Sequence, residues 1–135
     1  MNQQQILFKY CIQEGPIMER TRIEIWEALS EFYLDTELTK EDFERISYVF
    51  VKSDLRLSEI KKIDLFEVFP LLQTNLLSVA GVWDRFDQPW LIENCTKNYL
   101  KRNKRLHKLN CKLCNLLFYW MRKDYWVEIE KLISA

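Results

Sequence analysis

Apolar and polar positions alternate along most of the chain with a period close to that of an α-helix. Ile17, Ile25, Trp26, Leu29, Phe32 and Tyr33 share one stripe, while Glu24, Glu27 and Glu31 face away from it. This pattern predicts a first helix that stops near Leu34 or Asp35, with Arg20 and Glu24 forming a weak surface pair one turn apart. Thr39 then reads as an N-cap, and Asp42 three residues on completes a shortened capping box. Glu41 and Asp42 also suit the positive end of a helix dipole. Phe43, Ile46, Val49 and Phe50 extend the pattern, so a second helix is expected over 40–52. Its β-branched and aromatic residues cost propensity, and packing must hold it.

Ser58 is the next expected cap, followed by Ile60, Ile63, Phe66 and Val68 on a third helix from Glu59. Pro70 lacks an amide donor and clashes with the preceding turn. Either the helix ends near Phe69, or Pro70 opens a further helix through Leu71, Leu72, Leu76 and Leu77; the second version is favoured. Gly81 is expected as a left-handed cap. Asp87 is an expected N-cap with Pro89 in the first turn, opening a helix through Trp90, Leu91 and Cys95 to about Arg105. A last helix fits 108–132, with Leu109, Leu113, Leu116, Leu117, Trp120, Tyr125, Val127, Ile129 and Leu132 as its apolar set and a break near Lys123-Asp124 as an option. Residues 1–15 read as a short arm ending at Gly15-Pro16. The expectation is an all-α fold: one domain over 1–135, an irregular bundle of five or six helices.

Composition narrows the class. The 135 residues include only two glycines and three prolines, which leaves little for flexible linkers. No secretory leader is legible at the N-terminus and no apolar run is long enough to span a bilayer, so no membrane partner is expected. Four cysteines without a secretion signal read as free thiols, and the expected location is the cytoplasm. Net charge is zero, but residues 1–95 hold 17 acids and 10 bases, whereas 96–123 hold nine bases and no acid. A dipolar molecule is expected, basic towards its C-terminal region and acidic elsewhere.

Candidate chemistry is sparse. There is no glycine-rich phosphate loop, serine elbow or paired-histidine helix, and His107 is the only histidine. His107, Cys111 and Cys114 would share one helix face, and with Cys95 a Cys3His zinc site can be drawn. The leucines around them, Leu109, Leu113 and Leu116, instead assign the thiols to a core face, so neither metal nor cofactor is expected. A basic setting would lower a thiol pKa and allow some reactivity. His107 itself reads as an exposed residue at a helix junction. The acids Asp35, Glu37, Glu41, Asp42 and Glu44 lie at a loop and a first helical turn, where solvent favours a docking face over acid–base catalysis. The run from Lys97 to Lys112 interleaves Lys101, Arg102, Lys104, Arg105 and Lys108 with Tyr99 and leucines. That composition makes a nucleic acid the alternative partner.

Two stretches carry a resemblance. WEALSEFYLDTEL, from Trp26 to Leu38, and EVFPLLQTNLL, from Glu67 to Leu77, resemble the signature of a family of small bacterial helical proteins. The likeness covers about half of the chain and implies the helical fold more than any activity. In size and character such proteins are similar to immunity proteins of bacterial toxin-immunity systems, including contact-dependent growth inhibition. That implies a non-catalytic protein whose partner is a toxin domain, for instance a nuclease with a basic cleft. Asp35, Glu37, Glu41, Asp42 and Glu44 would supply charge complementarity, and Tyr33, Trp83 and Phe86 the apolar anchors.

Overall fold

Proline in mid-helix removes one hydrogen bond and pushes against the carbonyl four residues earlier. The chain meets this problem at Pro70 and solves it without breaking the rod. The computed structural model describes residues 19–78 and 80–134, so the expected arm at 1–15 and the start at Pro16 lie outside the described residues. Within them run α1 (Arg20–Ser30), α2 (Lys40–Lys52), α3 (Leu57–Ile63), α4 (Phe69–Leu77), α5 (Gln88–Lys101), α6 (Arg105–Phe118) and α7 (Lys123–Ser134). A π-helical turn over Asp64–Val68 joins α3 to α4 into one continuous rod. The described residues therefore form an all-α bundle of six rods, with no strand among them.

The wide turn follows from Pro70. The Phe69 amide donates to the Asp64 carbonyl, five residues back, which gives the proline ring room. Two carbonyls of this turn meet side-chain donors from other helices. His107 Nε2 lies 2.7 Å from the Phe66 carbonyl oxygen, and Asn98 Nδ2 donates to the Glu67 carbonyl at 3.0 Å. Buried carbonyls need such partners, and here the partners dock α5 and α6 on the turn. Pro70 thus stands in the first turn of α4, as the favoured version has it, and the π turn joins that helix to α3 without a break.

Local chemistry sets the other ends. Thr39 Oγ1 accepts from the Asp42 amide at 3.2 Å, and Asp42 Oδ2 accepts from the Thr39 amide at 2.9 Å. That capping box starts α2 where the pattern placed it. Asp87 caps α5 by accepting from the Trp90 amide at 3.1 Å. At α3 the cap is Arg56, with Glu59 Oε2 accepting its amide at 3.0 Å, and not Ser58. The long last helix is divided: α5 ends before Arg105, α6 begins there, and a 3-10 turn over Tyr119–Met121 leads into α7. Gly81 does not take up the left-handed conformation expected of it. Its role is close approach, since a Cβ would meet the Asn75 carbonyl oxygen at 2.9 Å.

The core lies where α1, α2, α7 and the π turn meet. Trp26, Phe32, Phe50, Phe69 and Trp126 are buried there. Phe32 meets Trp126 edge to face with centroids 5.1 Å apart, and Phe50 stacks on its other side at 6.1 Å. Each aromatic pair adds about 0.5–1.5 kcal/mol beyond its area burial.

Candidate functional site

Asn75 builds one face of the molecule. Its Nδ2 donates to the carbonyls of Tyr33 at 2.6 Å and Val82 at 3.0 Å, while its Oδ1 accepts from the Val82 amide at 2.8 Å. The Asp35 amide donates to the Val82 carbonyl at 2.8 Å, and Thr36 Oγ1 donates to the Trp83 carbonyl at 3.3 Å. These bonds lay the 82–87 loop along the corner that follows α1. Asp35, Glu37 and Trp83, far apart in sequence, come to one side of the protein and are all exposed; Trp83 is 69% exposed.

Beside them runs a groove of about 780 Å³, lined by Glu27, Glu31, Arg45, Asp84, Arg85 and Asp87 among others. Acids outnumber bases, and Arg45 is already held by Glu31 at 2.5 and 2.7 Å and by Asp42 at 2.8 Å. An apolar recess of about 320 Å³ shares the Phe86–Asp87 wall of this groove and is lined further by Leu71, Val82 and Trp90. Phe86 is half-buried and stacks on Trp90 with centroids 6.2 Å apart. Glu41 and Glu44 are exposed on the first turns of α2. The amide of Thr39, with help from Arg45, holds the Asp42 carboxyl below its ordinary range.

Tyr33 does not belong to this surface. It is fully buried, and its hydroxyl donates to Asp64 Oδ1 at 2.5 Å. Burial and the adjacent Asp64 carboxylate push the phenol well up, so it stays a donor. The π turn in fact points two acids inward. Asp64 meets Arg122 at 3.2 and 3.3 Å, and Arg122 also donates to Asn115 Oδ1 at 2.8 Å. Burial pushes the Asp64 carboxyl up, against the pull of the Arg122 guanidinium. Glu67 accepts from Arg22 at 2.8 and 3.0 Å and from Trp26 Nε1 at 3.0 Å. Each carboxylate is occupied by an arginine from another part of the chain, Arg22 of α1 for Glu67 and Arg122 of the turn before α7 for Asp64. This arrangement knits the core and offers no acid–base pair to a substrate.

The basic segment lies on a second face. Lys101, Lys104 and Arg105 are exposed, whereas Arg102 and Lys108 are half-buried. Arg102, Lys108, Lys112, Arg22 and Lys62 line a groove of about 680 Å³ that holds only Glu59 and Glu67 as acids. The two grooves thus differ in charge, the first with more acids than bases and the second with more bases than acids, although Arg22 and Lys62 of the second come from outside the basic segment. Tyr99 is taken up by arginines: Arg22 lies 4.5 Å and Arg102 3.8 Å from its ring centroid.

The thiols correct two expectations. Burial pushes Cys111 up to about 11 and Cys95 higher still, so the basic surroundings do not activate them. His107 is half-buried against Phe66 and is not an exposed junction residue. Because a carbonyl can only accept, Nε2 carries the proton there. Cys111 Sγ stands 3.6 Å from that nitrogen, while Cys114 Sγ lies 3.8 Å from Asn110 Oδ1. Among the described residues no three His, Cys, Asp or Glu side chains are placed to hold a metal ion.

The leucines around these cysteines are not core residues. Leu106, Leu109, Leu113, Leu116, Leu117 and Trp120 are between 53% and 81% exposed, and Cys111 is the one residue of α6 that is buried. Helical spacing foretold the stripe but placed it inward. Among the described residues no helix is long and apolar enough to cross a membrane.

A small helical domain with two oppositely charged grooves and a wide apolar stripe has the surface of a protein-interaction module. The chain belongs to the family described as a domain of unknown function (DUF7079), whose model matches residues 20–132. No curated protein and no solved structure matches it.

Proposed function

We propose that this protein is a non-catalytic immunity protein that binds and blocks a bacterial toxin domain carrying a basic cleft. The observation that best supports this reading is the joining of the acidic groove at Glu27, Glu31, Asp84 and Asp87 to the apolar recess at Phe86 and Trp90. Complementary charge speeds encounter and excludes wrong partners, and apolar anchors supply lasting affinity. Asp35, Glu37 and Trp83 extend the same face. Neither buried carboxylate is free for acid–base work, because each is held by an arginine.

The test is co-expression with toxin domains encoded beside the gene. Growth is expected to be rescued by the wild type and lost with Asp84→Lys combined with Trp83→Ala, both at exposed positions. Killing that continues undiminished beside the wild-type protein, for every such toxin, sinks the proposal.

A nucleic-acid partner at Lys101, Arg102, Lys104, Arg105 and Lys108 is the second reading. The basic groove speaks for it, whereas the engagement of Tyr99 by two arginines removes the aromatic platform that single strands use. An oligonucleotide shift that weakens steeply with salt would favour it.

A further inference from the structure

The apolar stripe of α6, carried on by Trp120 in the 3-10 turn after it, belongs to neither groove. Leu106, Leu109, Leu113, Leu116 and Trp120 follow one another at alternating steps of three and four residues. That spacing is the seam of a pair of helices packed knobs into holes. All five point to solvent, with Leu106 and Leu116 about four-fifths exposed. Apolar residues scattered singly on a surface need no explanation, but a contiguous stripe of this size does.

We infer that this stripe pairs with the same stripe of a second copy of the chain, antiparallel, about a two-fold axis at Leu113. The first of three features selects that occupant, and the other two set its direction. First, Leu113 sits midway between two exposed pairs: Leu109 and Leu117 lie four residues to either side, and Leu106 and Trp120 seven, while Leu116 stands opposite Asn110. A two-fold axis places each residue opposite its mirror position, so Leu113 meets its own copy, Leu109 meets Leu117, Leu106 comes to the 3-10 turn that carries Trp120, and Leu116 borders Asn110. Second, the charges forbid the parallel arrangement. Lys104, Arg105, Lys108 and Lys112 crowd the first half of α6, and residues 113–121 carry no charge. Parallel pairing would set the two basic halves together; antiparallel pairing sets each against an uncharged half. Third, α6 has no acid in its first turn and no base in its last, so both ends of its dipole lack a complementary charge. An antiparallel neighbour brings opposite ends together.

Its helical part, from Leu106 to Leu117, is about 16 Å long at 1.5 Å per residue, and Trp120 extends it on the 3-10 turn. A contact so narrow falls near the low end of specific interfaces, about 1,200 Å² in total, so the dimer is expected to be reversible. It leaves the acidic groove uncovered, and it stands whether or not a toxin binds there.

Sedimentation equilibrium of the full chain tests the inference. The mass is expected to rise towards twice the monomer between about 1 and 100 μM. Leu109→Glu and Leu113→Glu are expected to remain monomeric with unchanged far-ultraviolet circular dichroism, since both positions are exposed. In a background carrying Cys11→Ser and Cys114→Ser, Leu113→Cys is expected to form an intermolecular disulfide on oxidation. Leu106→Cys is expected not to, because its two copies would stand about 21 Å apart along the axis, twice seven residues at 1.5 Å each. A monomer at every concentration overturns the inference, as does a dimer that survives Leu113→Glu. Efficient bridging through Leu106→Cys would show a parallel pair and overturn the two-fold axis. Binding of a monomer to anionic phospholipid vesicles, lost with Leu113→Glu, would assign the stripe to a lipid surface instead.

Discussion

At the level of single residues, the most consequential side chain is Arg122. It is 2% exposed, yet it carries a full charge between Asp64, Asn115 and the rings of Phe69, Tyr33 and Tyr119. Its Nη1 has no hydrogen-bond partner among the described residues, and the Phe69 ring centroid lies 4.3 Å from the guanidinium carbon. Attraction to aromatic faces offsets part of that loss. Removing one member of a buried pair is costly because the other charge is stranded. Arg122→Met is therefore expected to cost about 3–5 kcal/mol at neutral pH in urea unfolding. Burial already pushes the Asp64 carboxyl up, and without Arg122 it moves further up. A carboxyl raised by folding contributes stability below its unfolded pKa and loses it as pH rises through the folded one. The deficit of Arg122→Met should thus shrink on acidification, and Asp64→Asn added to it should recover most of the loss. A deficit below about 1 kcal/mol at every pH would class the pair with surface bridges.

Among the elements, α2 and the α3–α4 rod show opposite kinds of control. The start of α2 is local: a threonine and an aspartate three residues apart exchange hydrogen bonds with each other's amides. The Asp42 carboxyl is held down by the Thr39 amide first and by Arg45 after it. A carboxyl depressed by folding stabilises above its unfolded pKa and loses that contribution as pH falls through the folded value. Asp42→Asn is expected to flatten the acid limb of the stability curve, read as melting temperature against pH from neutrality downwards. Thr39→Ala is expected to cost about 1 kcal/mol at neutral pH. An unchanged acid limb in Asp42→Asn would place the titration elsewhere. The α3–α4 rod, by contrast, is tied to α5 and α6, because Asn98 and His107 reach two carbonyls of its π turn. Pro70 and the apolar spacing around it were legible from the chain. The π turn was not, because its partners lie about 30 and 40 residues away.

For the molecule as a whole, charge is distributed by face. The acidic groove and the basic groove collect residues from distant parts of the chain. If the acidic face receives a basic toxin, association should slow as salt rises from low to physiological strength, where the screening length falls from about 30 to 8 Å. Dissociation, governed by the buried anchors, should change far less. Stopped-flow measurement of both rates checks this; an on-rate indifferent to salt would mean that the charge plays no part in encounter.

Sequence alone determined what depends on neighbours a few residues apart. Helical periodicity, the capping box at Thr39, the cap at Asp87 and the uneven run of charge are all of that kind, and the all-α class follows from them. The signature residues Glu67, Pro70 and Asn75 were legible as a pattern without their reasons. Tertiary structure decided the reasons: Glu67 holds Arg22 and Trp26, Pro70 widens a turn, and Asn75 pins the 82–87 loop. It also decided which apolar residues are covered. Tyr33 went into the core and the leucines of α6 stayed outside it, although both sit on helical stripes. A period of 3.6 residues states only that a helix has an apolar side. Whether that side meets the chain's own core or another surface depends on contacts between residues far apart in sequence, and those form only when the whole chain packs.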